Sequence, residues 1–82
     1  MIATHLRHCE VLIYTYHAMK DRHGERTVKH IQAAIFAEFR VRVTWGEVNK
    51  ALHTLRQISM AQEARRGYWY WIPSYAREGS VT

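Results

Sequence analysis

The segment TWGEVNKALHTLRQISMAQEARRGYWYWIP, residues 44–73, decides the fold of this chain. Thr44 and Glu47 form the pattern T-x-x-E, in which a threonine hydroxyl and a glutamate carboxylate cap a helix start reciprocally. A buried face at helical spacing follows and consists of Val48, Ala51, Leu52, Leu55 and Ile58. The segment therefore begins with an amphipathic helix.

A β-hairpin is predicted directly after that helix. Residues 60–64 form a candidate strand, and residues 68–72, YWYWI, are dense in β-forming side chains. Arg65, Arg66 and Gly67 lie between them as a tight turn, because glycine adopts a positive φ without strain. Successive side chains of a strand point to opposite faces, so the tyrosines share one face and the tryptophans the other. We expect the two tryptophans to be structural or to lie at a subunit contact.

Two further helices are predicted upstream. From about residue 3 to residue 20, apolar side chains recur at three- and four-residue steps, namely Leu6, Cys9, Leu12, Ile13, Tyr16 and Met19. Thr27 is the expected N-cap of a second helix. The buried stripe of that helix is Val28, Ile31, Ile35 and Phe39. Residues 40–43, RVRV, alternate polar and apolar, which fits either a third strand or a link into the next helix.

The predicted fold class is α+β, with three helices and a C-terminal hairpin, and with residues 40–43 as the expected third strand. With 82 residues the chain is long enough for one domain. We assign residues 1–75 to that domain and residues 76–82 to a loose polar tail. Cys9 is the only cysteine, which excludes an internal disulfide and fits a reducing cytosol, and we expect it to be buried. A membrane span and a secretory signal are not expected.

The charge of the chain favours an anionic partner. Lys and Arg number 12 against 7 Asp and Glu, which gives a net charge of +5. Such a balance is most often associated with nucleic acid, although a soluble protein can also be basic without that role. His5, His8 and Cys9 lie close together, but a closed zinc site needs four ligands, so no metal is expected. No catalytic motif occurs in the chain, and neither an enzymatic activity nor a cofactor is expected.

The outward face of the third helix has hydrogen-bonding side chains and no acid. At 100° per residue from Val48, this face and its edges hold Asn49, Lys50, His53, Thr54 and Gln57. Asparagine and glutamine pair with adenine edges, and lysine reaches guanine or phosphate. Arg65 and Arg66 at the hairpin turn suit phosphates, and Tyr68 is placed beside them. The alternatives are an ordinary solvated helix face and a charged turn that protects a sheet edge from aggregation.

The closing half of the chain resembles winged helix-turn-helix DNA-binding domains. The resemblance rests on Val48, Ala51, Leu52 and Leu55, then Ser59, Met60 and Ala61, then the run Arg65 to Tyr68, and Trp71 with Ile72. It implies a recognition helix over residues 45–58 and a wing over residues 60–72. Ser59 stands where that family usually has glycine.

The expected function is sequence-directed binding of double-stranded DNA by a small transcriptional regulator in the cytoplasm, associated with the nucleoid. The recognition helix would lie in the major groove and the wing along the backbone. A homodimer through the first helix or through the aromatic hairpin face would read a two-fold site. The alternative is a winged helix that binds only protein, as an interaction module or a small inhibitor of a larger complex. RNA binding, by stacking on the hairpin aromatics, is a third option.

Overall fold

A computed structural model describes the backbone of residues 2–73 and the side chains of residues 6–73. The predicted tail, residues 76–82, lies outside the described backbone, and the side chain of His5, one of the candidate metal ligands, lies outside the described side chains. The chain forms helix α1 (Ile2–Met19), strand β1 (Arg26–Thr27), helix α2 (Val28–Phe39), helix α3 (Trp45–Gln57), strand β2 (Ala61–Arg65) and strand β3 (Tyr68–Trp71). The α+β fold with three helices and a C-terminal hairpin is thus confirmed, and the order of elements is that of a winged helix.

The third strand of the sheet is not residues 40–43, as the sequence indicated, but β1. Strand β1 pairs antiparallel with β3, which makes β3 the central strand in the order β1-β3-β2. Residues 40–43 form an irregular linker. The Gln32 side-chain amide donates to the Val43 carbonyl at 2.9 Å, which holds the linker along α2. The alternating pattern RVRV therefore reflects Val43 turning into the core beside α2.

Both predicted helix caps are present. The Thr44 hydroxyl accepts from the Glu47 amide at 3.1 Å, and the Glu47 carboxylate accepts from the Thr44 amide at 2.9 Å. Thr27 caps α2 in the same reciprocal way, with His30 at the third helical position instead of an acid. These contacts satisfy amide groups that a helix start otherwise leaves unpaired.

The core lies between the three helices and the inner face of the hairpin. The α2 stripe is buried at Val28, Ile31 and Ile35, with Phe39 partly buried, and the predicted α3 face is buried at Val48, Ala51, Leu52 and Leu55. Trp69 and Trp71 point inward from β3, while Tyr68 and Tyr70 are more open. The tryptophans are therefore structural, as one of the two predicted alternatives stated.

Helix α1 buries only part of the predicted stripe: Met19 is buried and Leu12 and Tyr16 pack against the core, but the other three predicted residues do not. Its buried positions are Val11, Thr15, Ala18 and Met19, whereas Leu6, Cys9 and Ile13 are exposed. The predicted burial of Cys9 is wrong for the same reason. Apolar residues occur on both sides of this helix, so the spacing alone did not identify the side that faces α2 and α3.

Helix α3 ends one residue earlier than its apolar pattern suggested. Ile58, which was expected in the buried face, is the C-cap and is 54% exposed. Ser59 then adopts φ 62°, in the left-handed region, and the chain turns back into β2. This reversal moves Ile58 away from the core that Leu55 enters one turn before.

The turn of the hairpin is tight and anchored. Gly67 has φ 84°, and its amide donates to the Glu63 carboxylate at 2.8 Å. A register irregularity between Glu63 and Arg65 lies just before the turn. The Glu63 side chain therefore holds the hairpin tip, and the turn residues face away from the core.

Candidate nucleic-acid interface

The outward face of α3 is open to solvent. Lys50, His53 and Gln57 are exposed, and Asn49 is half-buried. Among the described residues, no side-chain hydrogen bond or ion pair engages Asn49, Lys50 or Gln57. The face is bordered by two flanks, which differ in what contacts them.

The first, called here the α1 flank, comprises Glu47, Lys50 and Thr54. Arg7 of α1 donates to both carboxylate oxygens of Glu47, from Nε at 2.7 Å and from a terminal nitrogen at 3.1 Å. The same guanidinium donates to the Arg42 carbonyl at 2.9 Å. This bidentate geometry ties the start of α3 to α1 and to the linker.

Glu47 is therefore a structural residue with a strongly held negative charge. Hydrogen bonds from the Arg7 guanidinium and then from the Thr44 amide lower the pKa of Glu47 from 4.5 to about 2, against the opposing effect of burial. The carboxylate is neutralised locally by Arg7, so it places no free negative charge on the outward face of α3.

Thr54, a candidate DNA contact, lies on the α1 flank with its hydroxyl engaged. Its Oγ1 donates to the Lys50 carbonyl at 3.1 Å and lies 3.5 Å from Nε2 of His8. Lys50 lines a small cavity of about 100 Å³ on this side with Arg7 and Glu47, and its ammonium group remains exposed. Lys50 is thus available to a ligand, whereas Thr54 is largely used by the protein.

The second flank, called the wing flank, comprises Trp45, Asn49 and His53. Trp45 and Asn49 line a groove of about 390 Å³ together with Arg66 and Gly67 of the hairpin turn. Trp45 is 59% exposed, although it is the first residue of the helix. The structure therefore brings the predicted recognition helix and the predicted wing together at one depression.

His53 contacts the hairpin from the middle of α3. Its ring lies edge-on to the buried indole of Trp69, with the centroids 5.1 Å apart. The imidazole is nevertheless exposed, so one edge packs on the sheet while the rest faces solvent. Through this contact the hairpin is seated against the same helix that presents Asn49.

The two arginines of the hairpin tip are not equivalent. Arg65 forms an ion pair with Glu25 at 3.3 Å, and its guanidinium lies 4.1 Å from the centre of the Tyr68 ring. Arg66 has neither a hydrogen bond nor an ion pair with any described residue, and it lines the groove that Asn49 also lines. Arg66 is the more available cation, while Arg65 and Tyr68 form a stacked unit at the edge.

Several residues of this surface were missed from the sequence. Lys29, in the first turn of α2, lines the same groove as Trp45 and Arg66. Arg42 lies on the linker, with its guanidinium 4.8 Å from the centre of the Phe36 ring. The proximity of Lys29 to the hairpin depends on long-range packing, so no local sequence pattern predicted it.

The described residues offer little for other kinds of site. No group of three or more histidine, cysteine, aspartate or glutamate side chains within them is placed to hold a metal ion. Residues 2–73 also contain no helix that is long and apolar enough to cross a bilayer. Comparison with protein-family models, curated proteins and solved structures gave no match.

Proposed function

We propose that this protein binds double-stranded DNA through α3 and the hairpin, and that it acts as a small transcriptional regulator. The observation that supports this most directly is the groove that Asn49 of α3 and Arg66 of the turn both line. A helix next to a basic hairpin suits a duplex, because the helix fits a major groove while the hairpin meets the backbone.

The electrostatics of the surface agree with this proposal. Of the two acids nearest the outward face of α3, Glu47 is paired with Arg7, and Glu63 accepts from the Gly67 amide. Lys50 and Arg66 remain free for phosphates or guanine among the residues described. The charge of Glu47 is therefore neutralised by Arg7, while Glu63 is the one carboxylate without an ion-pair partner among the described residues that line the groove.

The proposed roles follow from position. Asn49, Lys50, His53 and Gln57 face the base edges or the groove walls, and Arg66 holds the backbone. Arg65 and Tyr68 support the hairpin edge and add a weaker backbone contact, because the guanidinium is already stacked and paired. Thr54 is left with a supporting role because its hydroxyl is engaged.

The test is a fluorescence titration with random duplex DNA at several salt concentrations. The wild-type protein is expected to bind at low salt with an affinity that falls steeply as salt rises. Lys50→Ala should weaken binding. Arg66→Ala should reduce the magnitude of the salt slope by about 0.9, the value for one released counterion. Arg65→Ala should change it less, and an unchanged slope in the double variant would remove the hairpin from the proposal.

Selection of preferred sites from random DNA would then show whether binding is sequence-directed. We propose a cytoplasmic, nucleoid-associated location on the same basis. Dimerisation also remains a proposal, and the exposed α1 face of Leu6, Cys9 and Ile13 supports it more than the hairpin does, since both hairpin tryptophans are buried. Sedimentation of the free protein and of the DNA complex would measure the oligomeric state.

A second candidate is a winged helix that binds only protein. The exposed Trp45 favours it, because large aromatic side chains at a groove often anchor protein partners. The salt titration separates the two functions, since a protein-binding module lacks a steep, sequence-independent affinity for DNA.

A further inference from the structure

Helix α2 extends the basic surface beyond the recognition helix and the hairpin. Lys29 lies at the border of two depressions, one of about 390 Å³ that contains Arg66 and one of about 360 Å³ that contains Phe36 and Arg42. Lys29 is common to the linings of both depressions, which places them on either side of this side chain. Arg66, Lys29 and Arg42 follow one another across the two depressions, and these three residues are called here the α2 track.

The cations of the track are available to a ligand. For Lys29 and Arg66, the described part of the chain supplies no ion-pair or hydrogen-bond partner. The Arg42 guanidinium lies over the Phe36 ring, which leaves its N–H groups free at the ring edge. Glu63 is the only acid that lines either depression in the described residues, and it is engaged by the Gly67 amide.

The position of Lys29 does not serve the stability of α2. The first turn of a helix is the positive end of its dipole, where an acid is favourable and a lysine is unfavourable. Helix α2 has no acid in that turn and satisfies its start through Thr27 and His30. The helix dipole therefore does not account for a lysine at this position, which faces a depression that Glu63 and Arg66 also line.

Arg42 is held in place by two neighbouring contacts. Its own carbonyl accepts from Arg7, and the next carbonyl along the chain, that of Val43, accepts from Gln32. Phe36, which is 37% exposed, supports the guanidinium from below at 4.8 Å. A pre-oriented guanidinium loses less conformational entropy when it binds a phosphate.

We propose that one backbone strand of the bound DNA duplex follows the α2 track, so that Lys29 and Arg42 contact phosphates in addition to Arg66. This inference rests on the proposed DNA binding and adds a further contact surface to it. The occupant is a phosphodiester backbone because the track combines three cations that have no ion-pair partner among the described residues with two adjoining depressions lined by a single acid, Glu63, beside the proposed groove-binding helix.

The experiment measures affinity and salt slope for Lys29→Ala, Arg42→Ala and the double variant on one duplex. Each single change should reduce the magnitude of the slope by about 0.9, which corresponds to about an eightfold loss of affinity at 0.1 M salt. The double variant should lose about twice that slope. The matched control is Arg22→Ala, which removes the same charge near Trp71 and Pro73, at the end of β3 away from the turn.

The control separates contact from general charge. If Arg22→Ala lowers the slope as much as the track variants do, the effect is caused by the net charge of the protein, and the proposed contact along the α2 track is wrong. If Lys29→Ala and Arg42→Ala leave the slope unchanged while Lys50→Ala weakens binding, the track fails and the proposed function stands. If the wild-type protein does not bind duplex at low salt, the proposed function itself fails.

Lys29→Glu adds a readout that a structural role would not reproduce. An acid in the first turn of α2 suits the dipole, so the melting temperature should stay equal or rise. DNA affinity should fall further than in Lys29→Ala, because a repulsive charge replaces the attraction. A parallel fall in melting temperature would identify Lys29 as a residue of the fold and overturn its place in the track.

Discussion

The two flanks of helix α3 differ in how far the protein uses their polar groups itself. On the α1 flank, Arg7 binds Glu47 in a bidentate pair and Thr54 is engaged by its own helix and by His8. On the wing flank, the side chain of Asn49 has no partner among the described residues and borders an open groove. Apart from Lys50, whose side chain has no partner among the described residues, the α1 flank thus fixes the helix in the fold, whereas Asn49 on the wing flank keeps its hydrogen-bonding capacity for a ligand.

The largest expected effect is on base discrimination in DNA binding, which should depend on the wing flank and not on Thr54 of the α1 flank. Asn49→Ala should reduce discrimination at one base pair of the selected site by about 1–3 kcal/mol, the range for a bidentate base contact. Its stability should hardly change, since the side chain is unpaired and alanine favours helix. The measurement is affinity for the selected duplex and for single-base variants of it, with a thermal melt of each protein.

Thr54→Ala is the matched control on the α1 flank. It removes a polar side chain of similar size from the same helix, but one that the protein already uses. It should leave base discrimination unchanged. If Thr54→Ala and Asn49→Ala affect binding equally, the distinction between a structural flank and a ligand flank is wrong.

An intermediate effect concerns stability on the α1 flank. Glu47→Gln keeps the capping pattern but removes the charge that Arg7 binds. We expect a loss of about 1 kcal/mol at pH 7, below the full value of a charged hydrogen-bonded pair. The expected loss of stability is reduced because solvent screens the pair, since the Arg7 and Glu47 side chains are 39% and 29% exposed.

The pH dependence of this loss has a defined sign. The pKa of Glu47 is lowered from 4.5 to about 2 in the folded protein, so the carboxylate stabilises the fold fully above pH 4.5 and loses that effect as pH falls toward 2. Denaturant unfolding of both proteins at pH 7 and near pH 2 measures the difference. It should be much smaller near pH 2, where Glu47 is about half protonated, and a constant difference would assign the loss to something other than the charge.

The features that the sequence predicted are those with local causes. The capping boxes at Thr27 and Thr44 involve residues three positions apart, and the α3 stripe repeats within one helix. The turn at Gly67 needs only a residue that accepts a positive φ. In each case the interacting groups lie within a few residues of one another, so the pattern contains the information.

The features that the sequence missed depend on distant residues. Arg7 and Glu47 are separated by 40 positions, and β1 becomes a strand only because β3 is beside it. Arg65 is occupied by Glu25, which no pattern near the turn indicates. The candidate interface shows the same division. Its α3 residues could be proposed from the pattern of one helix, whereas Lys29 lies beside them only because α2 packs against α3.

The smallest expected effect concerns Ser59, where α3 and both its flanks end. Its φ of 62° is left-handed, which costs an L-residue about 1–2 kcal/mol relative to a right-handed conformation. Glycine removes that strain but adds conformational freedom to the unfolded chain, which offsets part of the gain. Ser59→Gly should therefore raise the free energy of unfolding by about 0.5–1 kcal/mol, measured by denaturant titration.

Ser59→Ala retains the Cβ atom and should give no such gain, because the backbone strain remains. The Ser59 amide donates to the Arg56 carbonyl at 3.0 Å, a backbone contact that both substitutions keep. Equal stabilisation by glycine and alanine would therefore show that the serine side chain, not the backbone, is unfavourable. Neither change should alter DNA affinity, because the reversal at Ser59 sets the path into β2 and contributes no group to either flank of α3.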